Sequence, residues 1–463
     1  MAAAHTTHTK RLSIRQSLTV GVTLFSMFFG AGNLILPPLL ALQAGTESAP
    51  AMAGFLVTAI GLPVMGIVAV ALAGTARDLA RRVHPVFSAV FVAAVYLAIG
   101  PCLAIPRTSS TAFEMLAPLL PESISVEIAR LVFSIAFFAV AYALALRPGA
   151  LTKLLGRITG PALIVLIVAV VGSALLAPSG TVIAPQAPYD SNAAIQGFLS
   201  GYQTMDLLAS LTFGIVIAEN IRGLGVIDPG GLAREVSRAG LVAGIFMALI
   251  YCGLAFVGAS MGTVMPDATN GAAVLTSSAT LRFGVTGAVV VAAIFLLACL
   301  NVCIGLISCC GSYFAETYGA AAADPAAHRL GKVPYAAWTF AFAAFSCFVS
   351  NFGLDAILAF SVPLLNALYP VAIVLVIMGM LHRACDALPR LWPWTAGVTA
   401  VVSVLVSVRD AFLPGAALPL DALPFADMGL GWLLPAALAA GVGIVHSLVS
   451  RHGASDADGR RRA

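Results

Sequence analysis

Charged residues are scarce in this sequence. Asp, Glu, Lys and Arg together make up 10% of the 463 residues, whereas 60% of the residues are hydrophobic. A soluble domain carries roughly 25% charged residues, because its surface faces water. No long polar interval separates the apolar stretches between Leu18 and Val449. The composition therefore excludes a soluble protein and predicts a chain whose outer surface faces lipid.

The sequence also lacks clustered residues of the kind that perform chemistry. The eight cysteines match no zinc-binding spacing and no secreted disulfide framework, so they are interpreted as small buried hydrophobes. All but one of the seven histidines fall in predicted tails or loops, and no His–Glu or paired-Asp constellation is present. A membrane-embedded enzyme would need such convergent groups. We therefore expect a protein that is not an enzyme and that needs no cofactor.

What the sequence does contain is a series of long apolar runs. A membrane-spanning helix needs about 20 mainly apolar residues, and the runs do not alternate as barrel strands would. They predict an all-α polytopic membrane protein with 12 transmembrane helices. The predicted spans are 18–43, 51–74, 86–113, 127–146, 158–177, 193–219, 235–262, 284–316, 333–351, 355–381, 392–408 and 430–449.

The basic residues alternate between successive connections of this twelve-span arrangement. Twenty of the 24 Lys and Arg residues lie in the N-terminal tail (1–17), in every second loop or in the C-terminal tail (450–463). Cytoplasmic loops retain Lys and Arg, so both termini are predicted to be cytoplasmic. The net charge of +4 is accordingly assigned to topology and not to nucleic-acid binding. Only four basic residues lie in the opposite connections: Arg107, Arg130, Arg282 and Arg409.

Two of the predicted spans contain residues that interrupt helices. The first holds Gly30, Gly32 and Asn33, followed by two prolines, and the sixth holds Gln203, Thr204 and Asp206 between apolar segments. Unwound backbone is tolerated in lipid only where protein or water covers it, so the breaks predict a central cavity. The alternatives are a close helix contact for the Gly-x-Gly pair and a structural hydrogen-bonding role for Asp206.

The positions of the two breaks predict an internal repeat. Matching breaks in two halves of a transporter point to its binding site. Five spans separate these breaks, an odd number, so the halves would be inverted relative to each other in the membrane. We expect one five-helix repeat over 18–177, a second over 193–381, and two extra helices over 392–449.

The sequence resembles a family, the bacterial branched-chain amino acid:cation symporters, called the system II carrier. The family is similar to the amino acid–polyamine–organocation group, with a leucine-transporter-type fold. The resemblance implies import of leucine, isoleucine or valine with a cation, most simply Na⁺ (H⁺ being the other candidate), across the bacterial inner membrane. The motifs that carry it are Phe28–Pro38, Leu42–Gly45, Gly61–Pro63, Gly100–Pro101, Pro106–Thr108, Gly201–Asp206, Phe213–Val216, Asn270–Ala273, Ala298–Leu300 and Ser350–Leu354.

The resemblance also implies roles for individual residues. Backbone amides of Ala31 and Gly32 would bind the substrate carboxylate, and Gln203, Thr204, Met205 and Asp206 would line the site from the sixth span. A cation site would use Ser26, Phe29, Ala298 and Asn301, and a second cation position Asn33 and Thr204. The sequence departs from the family pattern at Asn301 and Val302, where hydroxyl residues are expected; Asn301 can still offer a carbonyl oxygen, whereas Val302 offers no polar atom. Because sodium needs oxygen ligands, that departure leaves the coupling ion open.

We expect transport by alternating access, with cation and amino acid bound together near the middle of the membrane. Arg107 is predicted either to form an outer gate with an acidic residue such as Asp355 or to be an interfacial arginine. The ammonium of the substrate would contact carbonyls near Phe28 or the Asp206 carboxylate. The other function considered is a proton-coupled transporter of other neutral amino acids. The oligomeric state is not predicted.

Overall fold

The computed structural model describes residues 11–121, 123–147, 155–318, 334–413 and 419–462. Those residues form helices and loops, in agreement with the predicted all-α fold. Lys10, Lys153, Arg329 and Lys332, which entered the topology prediction, lie outside the described residues. The α-helices are α1 Ile14–Phe28, α2 Ala31–Ala44, α3 Ser48–Leu56, α4 Leu62–Ala73, α5 Ala76–Arg81, α6 Pro85–Leu97, α7 Ala104–Leu116, α8 Val126–Ala145, α9 Gly160–Leu176, α10 Ala193–Ser200, α11 Asp206–Gly223, α12 Pro229–Ala259, α13 Gly271–Phe283, α14 Val285–Tyr318, α15 Tyr335–Ser350, α16 Leu354–Met380, α17 His382–Cys385, α18 Leu391–Phe412 and α19 Leu433–Arg462.

Each predicted span coincides with one of these helices or with a broken pair of them. Nine helical runs within the described residues are long and apolar enough to cross a membrane, and the bent pair α10 and α11 makes a tenth. One of the nine runs, Ala31–Ala73, holds parts of two predicted spans, and α15 is shorter, with 16 residues. The chain is therefore a multi-pass membrane protein, whereas the number twelve stays a prediction.

The helices on the periphery leave apolar side chains uncovered. On α8 and α9, for example, Val132 is 61% exposed and Val165 is 67% exposed. Contiguous exposed apolar surface of this kind is unusual on a soluble monomer. It is what a lipid-facing helix presents, since lipid tails solvate apolar side chains.

The broken helices pack in the interior. The α1–α2 segment packs on α12, and the α10–α11 segment packs on α3 and α4. The prolines Pro37 and Pro38 lie inside α2 and do not end it, although each lacks the N–H that an interior helical residue donates. The break of the first span therefore lies before Ala31, at the glycine, and not at the proline pair.

Candidate functional site

The first span is interrupted at Phe29 and Gly30. α1 ends at Phe28, and Phe29 (φ −74°, ψ 93°) and Gly30 (φ −122°, ψ −159°) are extended. Because α2 begins at Ala31, the N–H groups of its first turn have no acceptor within the helix. These N–H groups and the positive end of the helix dipole form an arrangement that suits an anion. The break predicted from the glycines is present.

The sixth span is interrupted between α10 and α11. Residues Gly201–Thr204 form a 3₁₀ turn, and Met205 follows with a left-handed backbone (φ 64°, ψ 7°). The two helices are bent by 47° at this point. A left-handed conformation is uncommon for a residue other than glycine and is typical of functional sites. Met205 thus turns the chain so that Asp206 becomes the first residue of α11.

Asn33 joins the two breaks. Its Oδ1 accepts a hydrogen bond from the Gly30 N–H at 3.1 Å, and its Nδ2 donates to Asp206 Oδ2 at 2.6 Å and to the Tyr251 hydroxyl. Asn33, Asp206 and Tyr251 are all buried. Two roles were considered for Asp206, and the hydrogen bond from Asn33 is the contact that the structural role requires. A role of Asp206 in coupling stays a prediction.

The third span is interrupted as well, which the sequence analysis did not predict. Between α6 and α7 the chain forms a wide turn over Ala98–Cys102, with Gly100 in a non-helical conformation (φ −89°, ψ −127°). Pro101 follows and lacks the N–H that would continue the helix. The motif Gly100–Pro101 was the available signal for this break. It sets the direction of α7 and thereby the position of Arg107.

Arg107 lies in the interior and not at a membrane interface. Its side chain is 3% exposed, and its Nη1 donates a hydrogen bond to the Gln203 backbone carbonyl at 2.7 Å. A Cβ atom added to Gly32 would lie 2.8 Å from Arg107 Nη2. The guanidinium can therefore approach the first turn of α2 only because residue 32 has no side chain.

A cavity of about 40 Å³ lies where the three interrupted spans meet. It has room for ~3 water molecules, so a branched-chain amino acid would enter only if the walls moved apart. The polar part of its wall contains five of the predicted substrate residues together with Asn33 and Arg107. Those five are Ala31, Gly32, Thr204, Met205 and Asp206. Its apolar part consists of Met27, Phe28, Ile99, Ala104, Ala209, Phe213, Val302 and Leu306.

Several residues of the predicted cation site are chain neighbours of residues that line this cavity, such as Met27, Phe28 and Val302. Val302 of α14 packs against the first break, since a Cβ atom added to Gly30 would lie 2.9 Å from Val302 Cγ2. Ser26, Phe29, Ala298 and Asn301 are all buried. Within the described part of the chain, Asn301 Nδ2 has no hydrogen-bond partner. The structure brings α1 and α14 together, but Val302 offers no oxygen at the contact.

The predicted gate between Arg107 and Asp355 is not formed. Arg107 faces the central cavity, whereas Asp355 is exposed at the start of α16 and lies within electrostatic range of Glu114. Glu114 in turn faces Arg130 at 4.0 Å. Arg107 is instead directed inward because α7 begins after the interruption at Gly100–Pro101. In this conformation Arg107 does not lie at a membrane interface either, because it is 3% exposed.

A second, larger cavity lies on the other side of the Gln203 peptide. It measures about 360 Å³ and is bounded by α10, α16, α18 and the segment 420–432. Gln203, predicted as a substrate residue, lines this second cavity and not the central one. At one end of it Arg409 forms ion pairs with Asp410 and Asp421, both at 2.6 Å. Buried Ser407 lies in its wall.

Several residues of the site were not predicted from the sequence. Tyr251, Thr108 and Ile99 come from spans that showed no obvious polar interruption, and Tyr251 meets Asn33 across 218 residues of sequence. A single tyrosine in an apolar run is a common feature of membrane interfaces. No local pattern distinguished Tyr251 from such a residue.

A family model and several bacterial proteins that are similar to this chain are all described as branched-chain amino acid transporters. A family model described as "Branched-chain amino acid transport protein" matches residues 13–450. The Bacillus subtilis branched-chain amino acid permease BraB is 35% identical over 441 residues, which cover 94% of this chain and 96% of that protein. The Pseudomonas aeruginosa branched-chain amino acid transport system 3 carrier protein is 39% identical over 436 residues, covering 91% and 93%. The Escherichia coli K12 branched-chain amino acid permease BrnQ is 33% identical over 433 residues, covering 92% and 94%.

Solved structures of transporters share the fold. The nucleobase-cation-symport-1 family transporter Mhp1, in a closed conformation with bromovinylhydantoin bound, superposes with a TM-score of 0.56 at 13% identity over 92% of this chain and 91% of that chain. An Eremococcus coleocola manganese transporter mutant has a TM-score of 0.56 at 13% identity over 94% and 95%. At such low identity the likeness concerns the fold alone.

Proposed function

Because the chain belongs to the family of branched-chain amino acid transport proteins, we propose that it imports leucine, isoleucine and valine together with a cation. Its relatives are branched-chain amino acid permeases and carriers, so the chain is a transporter and not an enzyme. The observation that carries the proposal is the central cavity, whose wall is built from the interrupted first, third and sixth spans.

The proposed architecture has 12 spans, arranged as two inverted five-helix repeats followed by two extra helices. Helix packing supports the repeats. The broken first span packs on the seventh (α12), and the broken sixth span packs on the second (α3 and α4). The third span packs on the eighth through α7 and α14. When two halves share one fold, a contact from the first half to the second has a counterpart from the second half to the first. The contact of the first span with the seventh and that of the sixth with the second form such a pair. An even number of spans would place both termini on the same side of the membrane, and the excess of Lys and Arg in the tails and in every second loop assigns that side to the cytoplasm of a bacterial cell.

In the proposed binding mode, the first turn of α2 holds the substrate carboxylate through the amides of Ala31 and Gly32. Thr204, Met205 and Asp206 form the opposite wall. The apolar part of the cavity, which includes Phe28 and Phe213, receives the branched side chain. An apolar pocket separates homologous side chains by only about 1–3 kcal/mol per methylene. Leucine, isoleucine and valine are therefore expected to share the site.

We propose sodium as the coupling cation, held by carbonyl oxygens of α1 and the Asn301 side chain. The burial of Ser26, Phe29, Ala298 and Asn301 supports this site, since a cation there would be shielded from water. Val302 removes one hydroxyl ligand, and a hard cation depends on its oxygen ligands. Proton coupling through Asp206 is the competing mechanism.

The sizes of the two cavities support transport by alternating access. The central cavity is too small for leucine in this conformation, whereas the second cavity of about 360 Å³ would hold it. We propose that the amino acid reaches the central site through the second cavity when the broken helices move apart at the Gln203 peptide. Closure around the bound solute then prepares its release on the opposite side.

Leucine uptake into proteoliposomes tests the function. An inward sodium gradient and an inward proton gradient are compared at equal membrane potential. Sodium-driven uptake supports the proposed cation site, and uptake driven only by protons assigns coupling to Asp206. If no branched-chain amino acid is taken up under either gradient, the substrate proposal is wrong, and proton-coupled uptake of other neutral amino acids becomes the function to measure.

A further inference from the structure

The guanidinium of Arg107 is buried with most of its hydrogen-bonding capacity unused. Nη1 donates to the Gln203 carbonyl, but Nε and Nη2 have no hydrogen-bond partner within the described residues. Buried polar groups are nearly always hydrogen-bonded, and a buried charge without partners is strongly unfavourable. Arg107 also lines the central cavity. The unused donors therefore indicate a ligand that completes them.

The two unused nitrogens define the shape of that ligand. Nε and Nη2 lie on one edge of the planar guanidinium and direct their N–H groups in parallel. This edge matches the two oxygens of a carboxylate, which it binds with paired hydrogen bonds. A single carbonyl or hydroxyl oxygen could accept from both N–H groups only through bent, bifurcated hydrogen bonds, whereas a carboxylate gives each donor its own charged oxygen.

A second anion-binding feature meets Arg107 at the same point. The first turn of α2 begins at Ala31, and an added Cβ at Gly32 would lie 2.8 Å from Arg107 Nη2. Arg107 Nη2 therefore lies against the first turn of α2, and both that turn and Arg107 line the same cavity. Together they provide donors from two elements for a single anionic group.

Asp206 in the same wall balances the charge of Arg107. Among the described residues, the ion pairs do not include one between Arg107 and Asp206. Opposite charges that face one cavity without direct contact suit a solute that carries both a carboxylate and an ammonium group. A solute with a carboxylate alone would leave Asp206 without its counter-charge.

We infer that Arg107 is a direct ligand of the substrate carboxylate, which it binds through Nε and Nη2 beside the first turn of α2. The inference rests on the proposed function and makes it more specific, because it assigns the selection of zwitterionic α-amino acids to a residue of the third span. Arg107 then determines that the solute must carry a carboxylate, while the apolar wall selects its side chain.

The test compares leucine with leucinamide, which keeps the ammonium and the side chain but lacks the carboxylate. Binding of each to the purified full-length protein is measured by calorimetry. We expect the wild type to prefer leucine by ~100-fold, as expected for loss of two charge-assisted hydrogen bonds. In Arg107→Gln this preference should fall to ~3-fold or less, since Gln offers a single amide and no charge. In Arg107→Lys it should fall by ~10-fold, because an ammonium lacks the planar fork.

Thr111→Val is the matched control. Thr111 lies one turn further along α7, is fully buried, and has a hydroxyl without a hydrogen-bond partner within the described residues. This variant should keep the wild-type preference for leucine. A purely structural role for Arg107 would lower binding of both ligands equally and leave their ratio unchanged. That result, in either Arg107 variant with a normal melting temperature, would overturn the inference.

Amino acid binding to the wild-type protein distinguishes a failure of this inference from a failure of the proposed function. If wild-type protein binds another neutral amino acid but not leucine, the substrate proposal fails, and the comparison is made with that amino acid and its amide. If wild-type protein binds no amino acid with a preference over its amide, the inference about Arg107 is wrong as well.

Discussion

Gly32→Ala should weaken leucine binding by ~10- to 100-fold without unfolding the protein. The added methyl group would lie 2.8 Å from Arg107 Nη2 and 3.3 Å from the Gln203 carbonyl oxygen. The first of these contacts is with the end of a flexible side chain, so the guanidinium is expected to move away. Ala is also a better helix former than Gly by ~1 kcal/mol. Strain in the fold should therefore be small, whereas the geometry around Arg107 changes.

The magnitude follows from the contact that is lost. Movement of the guanidinium breaks its hydrogen bond to the Gln203 carbonyl, which is 2.7 Å long. A hydrogen bond to a charged group contributes about 1.5–3 kcal/mol. If the same displacement removes Arg107 from the substrate carboxylate, leucine affinity should fall by ~10- to 100-fold.

Two other glycines provide controls for this prediction. A Cβ atom at Gly397 would meet no atom within 4 Å, so Gly397→Ala should leave both affinity and stability unchanged. A Cβ atom at Gly258 would collide with the backbone carbonyl of Pro38, so Gly258→Ala should lower the melting temperature. Leucine titration and thermal unfolding of the purified variants measure both quantities. If Gly32→Ala binds leucine with wild-type affinity, the reasoning is refuted, because leucine binding would then not depend on the position of the guanidinium.

Three further predictions concern the other parts of the site. Asn33→Ala removes the donor to Asp206 and should cost about 1.5–3 kcal/mol of stability. When Asp206→Asn is added to this variant, part of the lost melting temperature should be recovered. If the losses in melting temperature of the two single variants simply add, the contact between Asn33 and Asp206 does not stabilise the protein. Val302→Ser places a hydroxyl beside Gly30 and should lower the half-saturating sodium concentration for leucine uptake ~5-fold; unchanged sodium dependence would favour proton coupling. Ser407→Cys, in the wall of the second cavity, should react with a charged thiol reagent more slowly when leucine is present, and the absence of protection would remove that cavity from the substrate pathway.

The sequence alone predicted the positions of the helices and two of their interruptions. Long apolar runs form membrane-spanning helices because the bilayer leaves the backbone no other hydrogen-bond partners, and this requirement is local in sequence. The interruption at Gly30 was predictable for the same reason, since glycine weakens a helix wherever it lies. The interruption before Asp206 followed from polar residues within an apolar run.

The tertiary structure decided which side chains meet. Asn33 contacts Asp206 across 173 residues, and no local pattern specifies that pairing. Arg107 was predicted either to form an outer gate with an acidic residue such as Asp355 or to be an interfacial arginine. In the structure it lies in the wall of the central cavity, on a helix that begins after the interruption at Gly100–Pro101. Five of the substrate residues in the cavity wall were thus predicted from the sequence. The charge arrangement arises only when three separated breaks pack against one another, because this packing places the unused edge of Arg107 beside the first turn of α2.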